Sequence, residues 1–278
     1  MTVQSYYLPG SLAEATALLA EQGPALLVMA GGTVVMPLIN EGISTPQKVM
    51  GLRRAGLNYV RHEDGAFIIG ATTPLARLLE SDVIPMLREA ARHTATWSIR
   101  NMGTVGGNLF VPPPAGDLAV ALLALDAEVK LVRAGGERIV PLSAFWTGFL
   151  QTVLAADELV AEIRVPEPGG LTAFRKFGRK QANTPAIVTL AVHLVMADRR
   201  VQEARVALGA VGPHPLRARQ AEAALIGQPL DTATIATVAE LAAAECEPFT
   251  DAIASDWYRR RMVKVQLSRV LMSFVAEG

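Results

Sequence analysis

The chain has 278 residues, 51% of them hydrophobic, which is enough apolar material for one large buried core or two moderate ones. Its 26 basic and 26 acidic side chains cancel, so no broad field draws in nucleic acid or an anionic membrane. The single cysteine, Cys246, excludes an internal disulfide framework and any all-cysteine zinc or iron–sulfur site made by this chain alone.

Residues 6–10 lead directly into a capped helix, with no basic stretch ahead of an apolar run, and no span is long enough to cross a bilayer. The expected compartment is the cytoplasm. Ser11 and Glu14 have the spacing of a capping box, and Leu12, Ala15, Leu18 and Leu19 supply an apolar face before Gly23-Pro24 ends the helix. The wholly apolar residues 25–29 predict a buried strand. It runs into Ala30-Gly31-Gly32-Thr33, after which residues 34–40 begin a helix or an extended segment.

Residues 59–61 and 66–70 flank a turn containing Asp64-Gly65, the pattern of a β-hairpin. Helices follow at 74–80 and 83–93, then a polar, glycine-rich stretch at 98–108. Pro112-Pro113-Pro114 blocks any regular element, and a helical apolar pattern resumes at 117–125. Residues 128–132 and 137–140, joined through Gly135-Gly136, form a second hairpin pattern, and 159–165 a strand ended by Pro166. The linker 166–170 holds two prolines and two glycines. Beyond it, residues 171–177, 187–197 and 201–208 predict a small antiparallel sheet, the last two strands joined at 198–200. Helices follow at 215–226, at 232–245, and at 256–275 with Ser255 as cap. The class is α+β, with a boundary near residue 170.

Two loops carry the chemistry. In Ala30-Gly31-Gly32-Thr33 the glycines let backbone N–H groups converge on a phosphate, and the threonine adds a hydroxyl donor. Gly103-Thr104-Val105-Gly106-Gly107-Asn108 offers the same means again. Neither matches the dinucleotide fingerprint or a P-loop, and both patterns also serve as plain tight turns. His62, His93, His193 and His214 are too dispersed for a metal site, and His193, in an apolar strand, is expected to face outward. Cys246 reads as a packing residue, and Arg259-Arg260-Arg261 as a solvated helix face or a partner contact. No G-x-S-x-G elbow suggests a hydrolase.

In order along the chain, AGGTVVMPL at 30–38, IGATTPLARL at 69–78 and IRNMGTVGGNLFVPPPAGDLAVALLALDAEV at 99–129 resemble the FAD-binding subunits of molybdenum hydroxylases, the family of xanthine dehydrogenases and carbon monoxide dehydrogenase. ELVAEIRVP at 158–166, FRKFGRKQANTPAIVTLAV at 174–192, RVALGAVGPHPLRA at 205–218 and ASDWYRRRMVKVQLSRVL at 254–271 extend the resemblance over nearly the whole chain. It implies a two-subdomain FAD-binding fold of the vanillyl-alcohol-oxidase (PCMH) type at 1–170, with subdomains at about 1–57 and 58–170. A C-terminal antiparallel sheet with helices would occupy 171–278.

By this resemblance Val28, Met29, Ala30, Gly31, Gly32, Thr33, Val34 and Val35 wrap the diphosphate and ribityl chain. Thr104, Val105, Gly106, Gly107 and Asn108 close over them. Asp117 matches an acid that bonds the cofactor, and on its own reads as the cap of its helix. Val160 matches a backbone contact on the adenine side, and Lys176 a lysine beside the flavin ring, where a cation favours the reduced anion. Thr184-Pro185 stands where many relatives have an aspartate, and Val34 replaces a more usual polar residue. With no histidine in either loop, the expected FAD is non-covalent.

The implied role is an electron relay with no catalytic base and no metal of its own. Molybdopterin and [2Fe-2S] clusters would sit on a large and a small partner subunit, in a heterotrimer or a dimer of heterotrimers, with NAD+ or another acceptor taking the electrons. A stand-alone FAD-dependent oxidoreductase of the same fold is the alternative.

Overall fold

The computed structural model describes residues 3–113, 115–180 and 183–277, so Pro114, Gln181 and Ala182 of the motifs above lie outside the described residues. The first sheet is parallel, in the order β1-β3-β2, built from β1 (Ser5–Tyr7), β2 (Leu26–Met29) and β3 (Lys48–Gly51). Helices α1 (Leu12–Gln22) and α2 (Val35–Asn40) connect these strands. Ser11 Oγ accepts from the Glu14 N–H at 3.1 Å, but Glu14 Oε2 reaches past Ser11 to the Gly10 N–H at 2.8 Å. The Glu14 carboxylate therefore bonds the residue before the N-cap, so only the Ser11 half of the capping box forms.

The second sheet is antiparallel, in the order β4-β5-β10-β6-β7. It begins with the hairpin β4 (Val60–Glu63) and β5 (Ala66–Gly70), whose turn places Asp64 and Gly65 at positive φ. Helices α3 (Leu75–Glu80) and α4 (Pro85–His93) follow. The polar stretch expected at 98–108 contains two four-residue helices, α5 (Trp97–Arg100) and α6 (Val105–Asn108), each capped by a threonine hydroxyl. Helices this short show no apolar period, and their caps were the signal.

Helix α7 (Asp117–Ala124) is buried along its whole length. It lies between the second sheet and the third, so no face of it is polar. Each of its leucines removed from water contributes roughly 1.5–3 kcal/mol. Strands β6 (Glu128–Arg133) and β7 (Gly136–Pro141) form the second hairpin, β8 (Trp146–Gly148) and β9 (Gln151–Thr152) a small ribbon, and β10 (Leu159–Pro166) returns to the centre of the second sheet.

The third sheet, β11-β12-β13-β14, comprises β11 (Leu171–Gly178), β12 (Ala186–Ala197), β13 (Arg200–Gly209) and β14 (Leu216–Arg217). Asp198 and Arg199, at φ 49° and 61°, make the tight turn between its long strands, and Arg200 already belongs to β13. The helix expected from residue 215 starts later, because Leu216 and Arg217 pair with β13. It is α8 (Arg219–Leu225), followed by α9 (Thr232–Ala244) and α10 (Asp256–Glu277). These three cover the face of the sheet that turns away from α7.

Two further expectations fail here. His193 is 6% exposed and its ring nitrogen meets the Gly169 carbonyl, so it faces inward under the linker. Arg259 is 0% exposed, so the three arginines are not one solvated face. Its guanidinium donates to the carbonyls of Ala186, Ile187 and Ala210 and to both oxygens of Asp251. Arg261 alone of the three is exposed, its guanidinium 5.4 Å from the centre of the Trp257 ring.

Candidate functional site

The two glycine loops touch each other. Residues 30–34 carry the chain from β2 into α2, and Gly32 takes φ 71°, where a side chain is strained. A Cβ on Gly31 would lie 1.9 Å from the Met102 carbonyl oxygen, so glycine lets this loop rest on the segment leading into the second. In the second loop Thr104 Oγ1 accepts from the Gly107 N–H at 3.0 Å and starts α6. Gly106 presses on Ala71, where a Cβ would meet backbone and side chain at 2.8 Å. The Gly106 and Val105 N–H groups donate to the carbonyls of Ala71 and Thr73, which pins the loop to the second sheet.

Among the described residues, the N–H groups of Gly31, Gly32, Thr33 and Val34 have no hydrogen-bond partner. Four neighbouring unpaired donors at the end of a strand form a concavity suited to an anion.

These loops line a cavity of about 600 Å³, within the roughly 300–1,000 Å³ range of cofactor sites. Its wall contains Val28, Ala30, Gly31, Gly32, Thr33, Val34 and Val35 from the first loop and its flanks. Thr104, Gly106, Gly107, Asn108, Asp117, Val160 and Lys176 join them from the rest of the chain. Met29 and Val105 do not. Val28 lines the wall, and strand alternation turns Met29 to the other side, where its sulfur lies beneath Gly32. Val105 is fully buried in the core below.

Sequence reasoning missed much of the apolar wall: Leu38, Leu52, Ala71, Leu75, Ile99, Phe110, Leu154 and Leu159, with Thr94, Ala95 and Glu158. Residues 183–185 also reach it, which brings Thr184 to the rim. Glu158 and Leu159 adjoin Val160 in the chain, and that adjacency was the available signal. The others come together only through the tertiary fold.

Two carboxylates stand in this wall, and both are paired. Asp117 is the first residue of α7, after Gly116 at φ 87° as N-cap, and its side chain caps nothing. Instead Lys176 Nζ donates to Asp117 Oδ2 at 2.6 Å and Thr189 Oγ1 donates to Oδ1 at 2.9 Å. Lys176 Nζ also donates to the His93 carbonyl at 3.1 Å, so its charge is committed. Burial pushes the Asp117 carboxyl above its ordinary value, opposed by the Lys176 cation and the Thr189 hydroxyl. Glu158, 6% exposed, takes both Arg138 donors at 2.7 Å and the Ala155 N–H at 2.9 Å. The Arg138 hydrogen bonds, ahead of burial, hold its carboxyl below the ordinary range.

No group of three or more His, Cys, Asp or Glu among the described residues is placed to hold a metal ion. Cys246 is buried, its Sγ donating to the Ala242 carbonyl, and burial pushes its thiol up to about 12. It is a packing residue. No helix among the described residues is long and apolar enough to cross a membrane.

Residues 1–168 match the FAD binding domain in molybdopterin dehydrogenase, and residues 172–274 the CO dehydrogenase flavoprotein C-terminal domain. The chain is 31% identical over 266 residues to the glyceraldehyde dehydrogenase medium chain of Sulfolobus acidocaldarius, covering 94% of each. It is 31% identical over 273 residues to the carbon monoxide dehydrogenase medium chain of Hydrogenophaga pseudoflava, covering 96% of this chain and 95% of that one. The solved carbon monoxide dehydrogenase of Hydrogenophaga pseudoflava superposes with a TM-score of 0.92 at 32% identity, over 96% of this chain and 95% of that chain.

Proposed function

This chain belongs to the family of FAD-binding subunits of molybdopterin dehydrogenases, which includes the CO dehydrogenase and xanthine dehydrogenase flavoproteins, and on that premise we propose that it is the electron relay of a larger enzyme. It would receive electrons from [2Fe-2S] clusters on a small partner subunit, fed by a large molybdopterin-binding subunit, and pass them to NAD+ or another acceptor. The assembly is a heterotrimer or a dimer of heterotrimers, working in the cytoplasm. The chain divides near residue 170, the part before it holding most of the cofactor and the part after it closing one end of the cavity.

The observation that carries this reading is the row of unpartnered N–H groups at Gly31 to Val34, set in the wall of a cavity that the second glycine loop also lines. FAD, when bound, supplies single-electron and paired-electron exchange in one group. The residues fit it. The N–H row suits a diphosphate, and the aliphatic wall suits two flat rings. Both wall carboxylates are neutralised by Lys176 and Arg138 and so do not repel an anion. We place residues 28–35 and 104–108 around the diphosphate and ribityl chain, Lys176 with Asp117 at the flavin end, and Val160 at the adenine end. No histidine or cysteine among the described residues lines the cavity, which supports a non-covalent cofactor.

The test has two arms. Acid precipitation of the yellow protein should release FAD into the supernatant; flavin that stays with the pellet, or that proves to be FMN, contradicts the assignment. Anaerobic reduction of the flavin by the organic substrate should need the two partner subunits, and rapid reduction in the isolated chain would instead establish a stand-alone oxidoreductase.

A further inference from the structure

Glu158 is an odd residue to find in the wall of an anion-binding cavity. Three donors occupy its carboxylate, two from Arg138 and one from the Ala155 backbone, while Arg138 Nη2 also donates to the Val153 carbonyl at 2.7 Å. The Glu158 N–H in turn donates to the Ala155 carbonyl. Arg138 comes from β7, the edge strand, and reaches across the sheet to close the loop between β9 and β10. That loop and the strand it starts put Leu154, Leu159 and Val160 into the cavity. This part of the wall is aliphatic, and just beyond it the register of β10 against β6 shifts between Val160 and Glu162, while the Ala161 carbonyl accepts from the Ala71 N–H. A neutral flat ring, such as adenine, suits such a surface better than a charged group.

We infer that Arg138 and Glu158 are positioning residues for the adenosine half of the dinucleotide: they fix the Leu154–Val160 wall and cancel the carboxylate that stands in it. This rests on the proposal that the cavity holds FAD. Neither side chain needs to touch the cofactor. Removing Arg138 alone does two things at once, since it frees the loop and leaves an unpaired carboxylate in the wall of the adenosine end. Removing both charges undoes the second effect.

The test uses the full chain stripped of flavin and titrated with FAD and with FMN by fluorescence, with ADP as a competitor of FAD and the ligand-free Tm measured alongside. Arg138→Gln should raise the Kd for FAD and the inhibition constant of ADP by about tenfold, and leave the Kd for FMN within about twofold, because FMN lacks the adenosine half. Arg138→Lys and the double variant Arg138→Gln/Glu158→Gln should each recover most of the loss. Unchanged FAD binding in Arg138→Gln overturns the inference. So does an equal loss of FAD and FMN with a lowered Tm, which marks a merely structural pair, and so does a double variant that recovers nothing. If Arg138→Gln does not fold, the comparison passes to Arg138→Lys, whose FAD-to-FMN ratio must still shift in the same direction. A wild-type chain that binds no FAD overturns the flavin assignment itself.

Discussion

Lys176 on β11 and Asp117 at the head of α7 form an ion pair of 2.6 Å in which both side chains are almost wholly buried, at 8% and 4% exposure. The pair fastens the third sheet to the helix that starts at the cavity, so the cavity wall and the packing of that sheet share one contact. Its ammonium is spent on Asp117 and the His93 carbonyl, so it stands in the cavity wall as part of a neutral pair. Asp117→Ala, which leaves the ammonium buried and alone, should destabilise the protein by about 3–5 kcal/mol. The double change Asp117→Leu/Lys176→Met should cost much less. Denaturant unfolding of the three proteins decides it, and equal losses in the single and double variants would refute the coupling.

The glycines of the first loop are not equivalent. A methyl on Gly31 meets a backbone carbonyl oxygen at 1.9 Å, which cannot yield without separating the two loops. On Gly32 it meets the flexible ends of Met29 and Met36 at 3.2 and 3.3 Å, and the burden is the left-handed backbone. Gly32→Ala should therefore cost about 1–2 kcal/mol and keep the fold. Gly31→Ala should lose the cavity, seen as loss of retained flavin and a much lower Tm.

Arg259 offers a sharp contrast with its neighbour Arg261. Arg259→Met strands three buried carbonyls and Asp251, for an expected loss of about 3 kcal/mol or more. Arg261→Ala, on the exposed side of α10, should change stability by less than about 0.5 kcal/mol. Thermal unfolding of the two variants separates the roles.

The depressed Glu158 carboxyl predicts a pH dependence. Its folded-state pKa lies below the ordinary 4.5, so its contribution is fully present above that value and is lost as pH falls through the folded pKa. Relative to wild type, Glu158→Gln should therefore show a shallower fall of stability below about pH 4.5 and a constant offset above it. Parallel curves through the acid range would mean that the group does not titrate on unfolding.

Local signals were the legible ones. Alternating apolar residues, Asp-Gly turns and helix caps located most strands and helices, because each depends on neighbours a few residues apart. The glycine loops could be read for the same reason. What stayed hidden depends on distance. Three consecutive arginines on a helix point about 100° apart, and only the sheet beside α10 decides which of them is buried. The helix expected at 215 gave way to β14 because a waiting edge of β13 outweighed local preference. Arg138 comes from β7 and Glu158 from the loop before β10, and no spacing rule joins them. Most of the aliphatic wall was invisible because any core leucine reads the same way until the chain is folded around it.

β10 stands at the centre of the second sheet, flanked by β5 and β6, yet it is the last strand of that sheet to be synthesised. Until it leaves the ribosome, the two earlier hairpins cannot join, and each carries an open edge with apolar side chains such as Ile69 and Leu131. The same strand supplies Leu159 and Ala161 to the core beneath α1 and Ile163 and Val165 to the core around α7. One late segment thus contributes to two cores, and the core around α7 still awaits Phe174, Ala191 and Ala207 of the third sheet. A nascent chain halted before Leu159 should therefore be found with chaperones or in inclusion bodies.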